Sequence, residues 1–270
     1  MNAVVRSLHQ HQSRILRAQG VTLARRGQTL LDRVSLTAWP GELTTLIGPH
    51  DSGKALLLQV LGGSVAPSIG EVWLGTHSLA ALPAEVLRRE LFCFSAHSRA
   101  AASLTAADLA QPRHLAFWAR FVRGPVRAEP AERTLLALEA VGLGERANVS
   151  VAELDAYERI AARLAGAVLA DAGAILLEVP CGELNLVQMH RLQRLLRQLA
   201  AQGRTVVQVL NELSSALDFA DRLVLMGGGQ VLATGSADAI LASGRLGQAY
   251  GVPLEAQRHG MGWCLWPVLS

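Results

Sequence analysis

The sequence predicts an α/β fold: a mostly parallel sheet with helices on both faces, led by antiparallel strands and interrupted by a helical insertion. Three observations predict it. Residues 43–61 run from an apolar strand through the glycine-bounded loop Gly48-Pro-His-Asp-Ser-Gly53-Lys54 into an apolar helix. Short apolar runs then alternate with helical patterns from Ala174 to Thr234, as βαβ units do. Between these parts, residues 99–170 become Ala- and Arg-rich with a 3.6-residue period and no convincing strand.

Taken in order, residues 15–24 and 29–38 alternate apolar and polar side chains around a turn at Gly27, which predicts two antiparallel strands. Pro40-Gly41 turns the chain into the buried strand Leu43–Ile47. Residues 71–75 form a further short strand, Leu82 to Arg89 a helix, and Leu91 to Phe94 another strand. Pro112, Gly124-Pro125 and Pro130 punctuate the helical segment. Beyond it come a strand at Ala174–Leu177, an amphipathic helix from Leu186 to Ala201 with Arg191, Arg194 and Arg197 outward, and a strand from Thr205 to Leu210. A helix from Leu213 to Phe219, a strand from Arg222 to Met226 and a hairpin at Gly227-Gly-Gly229 complete the core. Trp263 and Trp266 in the last stretch are expected to cover an apolar surface.

Composition narrows the function classes. Half of the 270 residues are hydrophobic and 17% are charged, which suits a globular chain with a large core. A net charge of +3 without basic clusters interleaved with aromatics argues against nucleic acid as a partner. Three cysteines, Cys93, Cys181 and Cys264, have neither disulfide-framework nor zinc spacing, which suits a reducing compartment. No run of about 18 apolar residues predicts a membrane span. Met1 to Arg14 lacks the apolar stretch of a signal peptide.

The loop at 48–54 has the order of a phosphate cradle. Glycines permit a tight turn whose amides face inward, the following helix supplies its N-terminus, and a lysine adds a point charge beside the β/γ-phosphates. Lys54 is the only lysine among 25 Lys and Arg residues. The nucleotide-binding candidates are therefore Gly48, Pro49, His50, Asp51, Ser52, Gly53, Lys54, Ala55 and Leu56. Position 55 calls for a hydroxyl to hold Mg²⁺ and carries none.

Over nearly its whole length the chain resembles an ABC-transporter nucleotide-binding subunit: a P-loop NTPase sheet core, an N-terminal antiparallel β-subdomain and an inserted helical subdomain. The match rests on Thr29-Leu-Leu-Asp-Arg-Val-Ser-Leu leading to Pro40-Gly-Glu42, and on Ala220-Asp-Arg-Leu-Val-Leu-Met-Gly-Gly-Gly-Gln-Val-Leu-Ala-Thr-Gly235. Leu246-Gly-Gln-Ala-Tyr-Gly-Val-Pro253 is similar to a tail of the subset importing haem, iron–siderophore chelates and cobalamin. The resemblance implies one nucleotide-binding domain over 1–270, divided into β-subdomain and loop core (1–98), helical subdomain (99–165) and remaining core and tail (166–270). It also implies head-to-tail pairing of two such subunits, as a homodimer or heterodimer, with ATP between one cradle and the other's signature loop. The partner is a membrane permease subunit, which places the chain in the cytoplasm, peripheral on the inner face of the membrane.

Beyond Gly48, Gly53 and Lys54 of the cradle, the working positions of that family fall on altered residues. The strand-end carboxylates fall on Glu178, which can still reach a metal, and on Val179, where an isopropyl group replaces the general base. The glutamine that senses metal and water falls on Ala96, and the switch histidine on Asn211. The signature loop falls on Ala152, Glu153, Leu154 and Asp155, where the family has a serine and two glycines, so the acids are expected to present negative charge. Asn185 replaces an aspartate in the dimer-contact loop after Cys181. No aromatic for adenine stands at Arg25-Arg26, where Arg26 offers only its guanidinium plane. Asp51 adds a carboxylate where polyphosphate sits, and strains the backbone if its φ is positive.

The expected protein is an importer-type subunit deficient in hydrolysis, with at most weak binding of ATP and Mg²⁺. Two other readings are a working ATPase for haem or iron-chelate import and a non-transport scaffold of the same ancestry. His50 and His97 read as solvated loop residues rather than ligands, and Cys181 as a small buried residue rather than a nucleophile.

Overall fold

The computed structural model describes residues 14–95, 103–111, 129–180, 182–260 and 262–268. The chain opens with β1 (Leu16–Arg25) and β2 (Gln28–Ala38), joined by a two-residue turn. Arg26 and Gly27 both take positive φ, 51° and 78°, the conformation that matches the twist of a tight hairpin. The central strand β3 (Leu43–Ile47) is wholly buried and leads into the helix α1 (Lys54–Leu61). Strands β4 (Ile69–Leu74) and β5 (His77–Ser78) follow, then α2 (Ala84–Glu90) and β6 (Leu91–Ser95). The first sheet has the order β2-β1-β4-β5 and is antiparallel throughout.

Between β6 and the next core strand the described residues form helices only, α3 (Ala106–Ala110), α4 (Ala131–Ala140) and α5 (Ala156–Leu169), with short 3-10 turns before α5. One isolated bridge, Thr105 to Ser150, is their sole β pairing. Gln111 ties this part together: its amide donates to the Thr134 hydroxyl at 2.8 Å and its carbonyl accepts from the Glu129 amide at 2.9 Å. Pro112, His97, Gly124 and Pro125 lie outside the described residues.

The core resumes with β7 (Ala174–Glu178), α6 (Leu186–Ala201), β8 (Thr205–Val209), α7 (Leu213–Phe219), β9 (Arg222–Gly227) and β10 (Gln230–Gly235). The six-stranded sheet has the order β10-β9-β3-β8-β7-β6, parallel except for the edge strand β10. Its inner strands are near-continuous apolar runs, as strands buried on both faces must be. Helix α1 touches both sheets, reaching β7 and β8 on one side and β1 and β2 on the other. In the core, Gln208 on β8 exchanges amide hydrogen bonds with Gln193 on α6 and donates to Thr45 on β3 at 2.9 Å.

The outward arginines of α6 are exposed, yet two of them have defined contacts. The Arg191 guanidinium lies 4.2 Å from the centre of the Tyr157 ring, and Arg197 pairs with Asp221 at 3.1 Å. The tail departs from the sequence expectation of a simple apolar cover. After α8 (Ala237–Ala242) and α9 (Arg245–Tyr250), residues Leu254–His259 (β11) and Gly262–Pro267 (β12) form a separate two-stranded hairpin. Trp263 packs against the core and Trp266 stays exposed. The strand that carries them, Gly-Trp-Cys-Leu-Trp-Pro, has no polar residue and so no alternation to mark it in the sequence.

Candidate functional site at the carboxyl ends of the strands

One register level organises the site. Ser95, Glu178, Val209, Leu46 and Val224 are paired in a row across β6, β7, β8, β3 and β9. Every core loop that carries a predicted site residue leaves the sheet just past this row, where open parallel sheets bind ligands. The loop 48–53 leaves β3, Val179 follows β7, and Leu210-Asn211 follows β8. Ala96 follows β6 and lies outside the described residues, as does Cys181.

The cradle loop is shaped by close approach. A Cβ on Gly48 (φ 145°) would stand 2.2 Å from the Met226 carbonyl oxygen, and one on Gly53 (φ 94°) would stand 2.8 Å from Leu31 Cδ2. At Gly48 the obstacle is backbone, whereas at Gly53 it is the end of a side chain and the positive φ adds strain to any substitution. Asp51 takes φ 61°, a left-handed conformation that costs a non-glycine residue energy. Its carboxylate is exposed and stands 3.8 Å from the exposed His50 ring. Ser52 is buried, with its amide donating to the Pro49 carbonyl at 3.3 Å and its carbonyl accepting from the Gly229 amide at 3.2 Å.

Lys54 is 6% exposed and folds back over its own loop. Its ammonium donates to the Gly48 carbonyl at 2.7 Å, the Pro49 carbonyl at 2.6 Å and Ser52 Oγ at 3.1 Å. No side chain caps the N-terminus of α1 and no acid stands in its first turn, so the helix dipole there is uncompensated by side chains.

The sequence reading passed over one tyrosine. Tyr250, the last residue of α9, buries a hydroxyl that has no hydrogen-bond partner among the described residues. Burial pushes its phenol pKa up. Only its place in the tail motif, Ala-Tyr-Gly-Val-Pro, could have singled it out.

At the strand ends, Glu178 is half-buried and Val179 is 3% exposed, its amide donating to the Val209 carbonyl at 3.0 Å. Asn211 is exposed at the start of the loop to α7. Asn185 caps α6, accepting from the Gln188 amide at 2.9 Å.

The segment Ala152–Asp155 differs from the picture of two acids facing outward. Leu154 is 2% exposed and anchors the loop in the core. Asp155 caps α5: its carboxylate accepts from the Glu158 amide at 2.7 Å, and the Glu158 carboxylate accepts from the Asp155 amide at 2.9 Å. Arg146 donates to the same Glu158 carboxylate at 3.2 Å, and Arg159 donates to the Leu154 carbonyl at 2.5 Å. Asp155 therefore spends its charge on its own helix, and only Glu153 of the pair is exposed. The pattern Asp-x-x-Glu at 155–158 was available in the sequence as a capping signal.

The family follows from the comparison of this chain with known proteins. A family model described as ABC transporter matches residues 31–181. The chain belongs to the ABC transporter family. It is 30% identical over 247 residues to the hemin import ATP-binding protein HmuV of Rhodopseudomonas palustris, covering 88% of this chain and 89% of that one. It is also 30% identical to the protein of the same name from Rhodococcus jostii, over 90% and 82% of the two chains. Among solved structures, an ATP-binding cassette of an ABC transporter in its ADP conformation superposes with a TM-score of 0.76 at 20% identity, over 87% of this chain and 98% of that one. The cbiO1 protein of Clostridium perfringens does so with a TM-score of 0.70 at 18% identity, over 84% and 90%. These superpositions show the ABC cassette fold, a P-loop NTPase core.

Family membership implies ATP and Mg²⁺, and the residues present fit the two unequally. For phosphate the fit is good: a loop whose glycines resist substitution at either end, an uncapped helix N-terminus and a buried ammonium. For Mg²⁺ the donor set is poor. Ala55 offers no oxygen beside the cradle, Glu178 is the one carboxylate at the end of β7, and no cluster of three metal-ligating side chains occurs among the described residues. No described helix is long and apolar enough to cross a membrane.

Proposed function

We propose that this ABC domain serves as the nucleotide-binding subunit of an importer-type complex and no longer hydrolyses ATP competently. It docks on a membrane permease subunit at the inner face of the membrane, pairs with a second nucleotide-binding subunit and binds ATP weakly at most. The observation that carries this reading is the end of β7. There Glu178 is followed by a valine side chain packed at 3% exposure, so the position that the family resemblance gives to the general base carries no proton acceptor. Loss of a general base slows such a step by about 10²–10⁴-fold.

Three further observations support it. Ala55 removes the hydroxyl that would hold Mg²⁺ at the cradle, and Asn211 has no acid–base capacity at neutral pH. The N-terminus of α5, which the family presents to a phosphate across the dimer, is already satisfied by the Asp155–Glu158 capping box. The division into a β-subdomain and cradle core, a helical subdomain over 99–165 and a second core segment belongs to the same proposal, with the permease docking in a groove between the sheet core and the helical segment 99–150.

The names of the relatives favour a second reading, a working ATPase for hemin import. One set of measurements separates the two. Mg-ATP binding is followed by calorimetry, and phosphate release is followed with and without the co-purified permease. Turnover on the order of 1 s⁻¹, an ordinary enzyme rate, refutes the hydrolysis-deficient reading. Restoring Ala55→Ser, Val179→Glu and Asn211→His, with Ser-Gly-Gly in place of Glu153-Leu154-Asp155, is expected to bring turnover back in a pairing-competent complex.

A further inference from the structure

The terminal hairpin has one unpaired edge, and its hydrogen-bond alternation fixes which backbone groups lie there. In an antiparallel pair, alternate residue pairs exchange both N–H···O bonds and the pairs between them exchange none. Pro267, opposite Leu254, has no N–H to give, so that pair is of the second kind. The bonds around it agree. The Val268 amide donates to the Pro253 carbonyl at 2.9 Å. The Trp263 amide, opposite Arg258, turns away from β11 and donates to Asp218 Oδ1 at 2.7 Å. Glu255, Gln257 and His259 therefore bond to β12, while Leu254, Ala256 and Arg258 turn their N–H and C=O groups outward. Strand β12 packs its own outer edge on α7. Among the described residues no strand pairs with the outer edge of β11.

That edge lacks the devices that keep edge strands apart. Strand β11 reads Leu-Glu-Ala-Gln-Arg-His, with no proline and no lysine, and its register with β12 has no bulge. The side chains of Glu255, Gln257 and His259 share one face and are exposed. The strand is also complementary to itself. A two-fold axis normal to the hairpin returns every side chain to its own face, so residues paired across the axis must stand an even number apart. Centred on Gln257, the pairing exchanges backbone bonds between Ala256 of each copy and Arg258 of the other. It also sets the Glu255 carboxylate opposite the His259 imidazole of the second copy, on both sides of the axis. Centring on Ala256 instead requires the Leu254 N–H, and Gly247 of α9 stands against it: a Cβ there would lie 3.6 Å from the Leu254 nitrogen. We propose that β11 is a docking edge for a second copy of this chain, joined β11 to β11 about a two-fold axis at Gln257. The contact needs no nucleotide and is additional to the pairing in the proposed function. An edge this short makes a small interface, so the dimer falls in the micromolar-to-millimolar range.

Sedimentation velocity of the full chain without nucleotide, from about 10 µM to 1 mM, tests this. The parent is expected to show a concentration-dependent dimer. Ala256→Pro removes an outward N–H that β12 does not use, so the hairpin keeps its own bonds. By symmetry the dimer loses a backbone bond on each side of the axis and is expected to weaken by about 5- to 150-fold. Oxidative cross-linking reads the register in a Cys181→Ser, Cys264→Ser protein, whose remaining thiol, Cys93, is buried. There Gln257→Cys is expected to link two copies, because directly opposed Cβ atoms stand about 4.5–5.5 Å apart. The native Cys264, exposed and paired with Gln257, is the control in a Cys181→Ser protein. Its two copies stand three strand spacings apart, about 14 Å, and are expected not to link. A parent that stays monomeric overturns the proposal. So does a dimer that Ala256→Pro leaves intact, which marks pairing at the cradle instead, and so does equal linking by the two thiols, which marks random collision.

Discussion

Replacing Lys54 by methionine separates a structural role for this side chain from a ligand-binding one. Methionine fills much the same space and removes three ammonium hydrogen bonds, to the Gly48 and Pro49 carbonyls and to Ser52 Oγ. Their loss is unequal. The Pro49 carbonyl keeps the Ser52 amide as a donor, and the Ser52 hydroxyl can rotate toward another acceptor. The Gly48 carbonyl loses its ammonium in a place where the lysine itself is only 6% exposed. A buried acceptor left bare costs about 1–3 kcal/mol. Relief of the buried ammonium's desolvation offsets part of the loss of the other two bonds, so a net destabilisation of about 1–3 kcal/mol is expected without any nucleotide. In urea the midpoint should fall with an unchanged slope. In a thermal scan the midpoint should fall by about 2–4 °C per kcal/mol for a chain of this size. A midpoint within error of the parent, or above it, refutes the argument that Lys54 staples its own loop.

Asp155→Ala removes the cap and half of the capping box at α5, and is expected to cost about 0.5–2 kcal/mol in urea unfolding. Thiol labelling of a Cys181→Ser protein with an aromatic disulfide should modify Cys264 in the native state, where it is exposed. Cys93 should react only on unfolding, because burial pushes its thiol pKa well above the usual range and bars access. Alkaline pH gives a third measurement. Burial raises the folded-state pKa of Tyr250 above its ordinary value, so the neutral phenol is favoured by folding. Its contribution to stability is fully present below about pH 10 and is lost as pH rises through the folded pKa. Tyr250→Phe should flatten that part of the alkaline stability curve, and an unchanged curve refutes the assignment. Tyr157, raised chiefly by burial with Arg191 opposing, supplies the remaining slope.

The core was legible in the sequence because its strands are buried on both faces. Leu43–Ile47, Ala174–Glu178 and Thr205–Val209 are short apolar runs between turn signals, and the row they form fixes where Val179 and Asn211 emerge. The cradle was legible because glycine and lysine punctuate it. What escaped was tertiary. Nothing in the pattern near Tyr250 says that its hydroxyl is buried. In the β11–β12 hairpin only β11 mixes apolar and polar residues, over six positions, and the pair is held by one backbone bond to Asp218 as well as by its own pairing. Asp155 was read by its charge, whereas its hydrogen bonds turn that charge inward. Charge can be counted from a sequence, but its direction depends on the neighbours that folding supplies.

The persistence of the cradle beside altered catalytic positions has a physical reason in this structure. Gly48 has no room for a Cβ against the Met226 carbonyl, and Gly53 holds a positive φ with the Leu31 side chain against it. Lys54 binds two carbonyls and a hydroxyl of its own loop. Changing any of the three disturbs the central strand and the first helix, whatever the chain binds. Positions 55, 179 and 211 carry side chains suited to their places: alanine continues α1, valine fills the end of β7 with apolar contact, and asparagine is exposed in a loop. Under the proposed function, relaxed selection on hydrolysis would let these three drift while packing held the glycines and the lysine in place. A retained phosphate loop is then a measure of structural constraint as well as of chemistry. The Lys54→Met measurement bears directly on this argument, because a lysine kept for nucleotide alone would leave the stability of the free chain untouched.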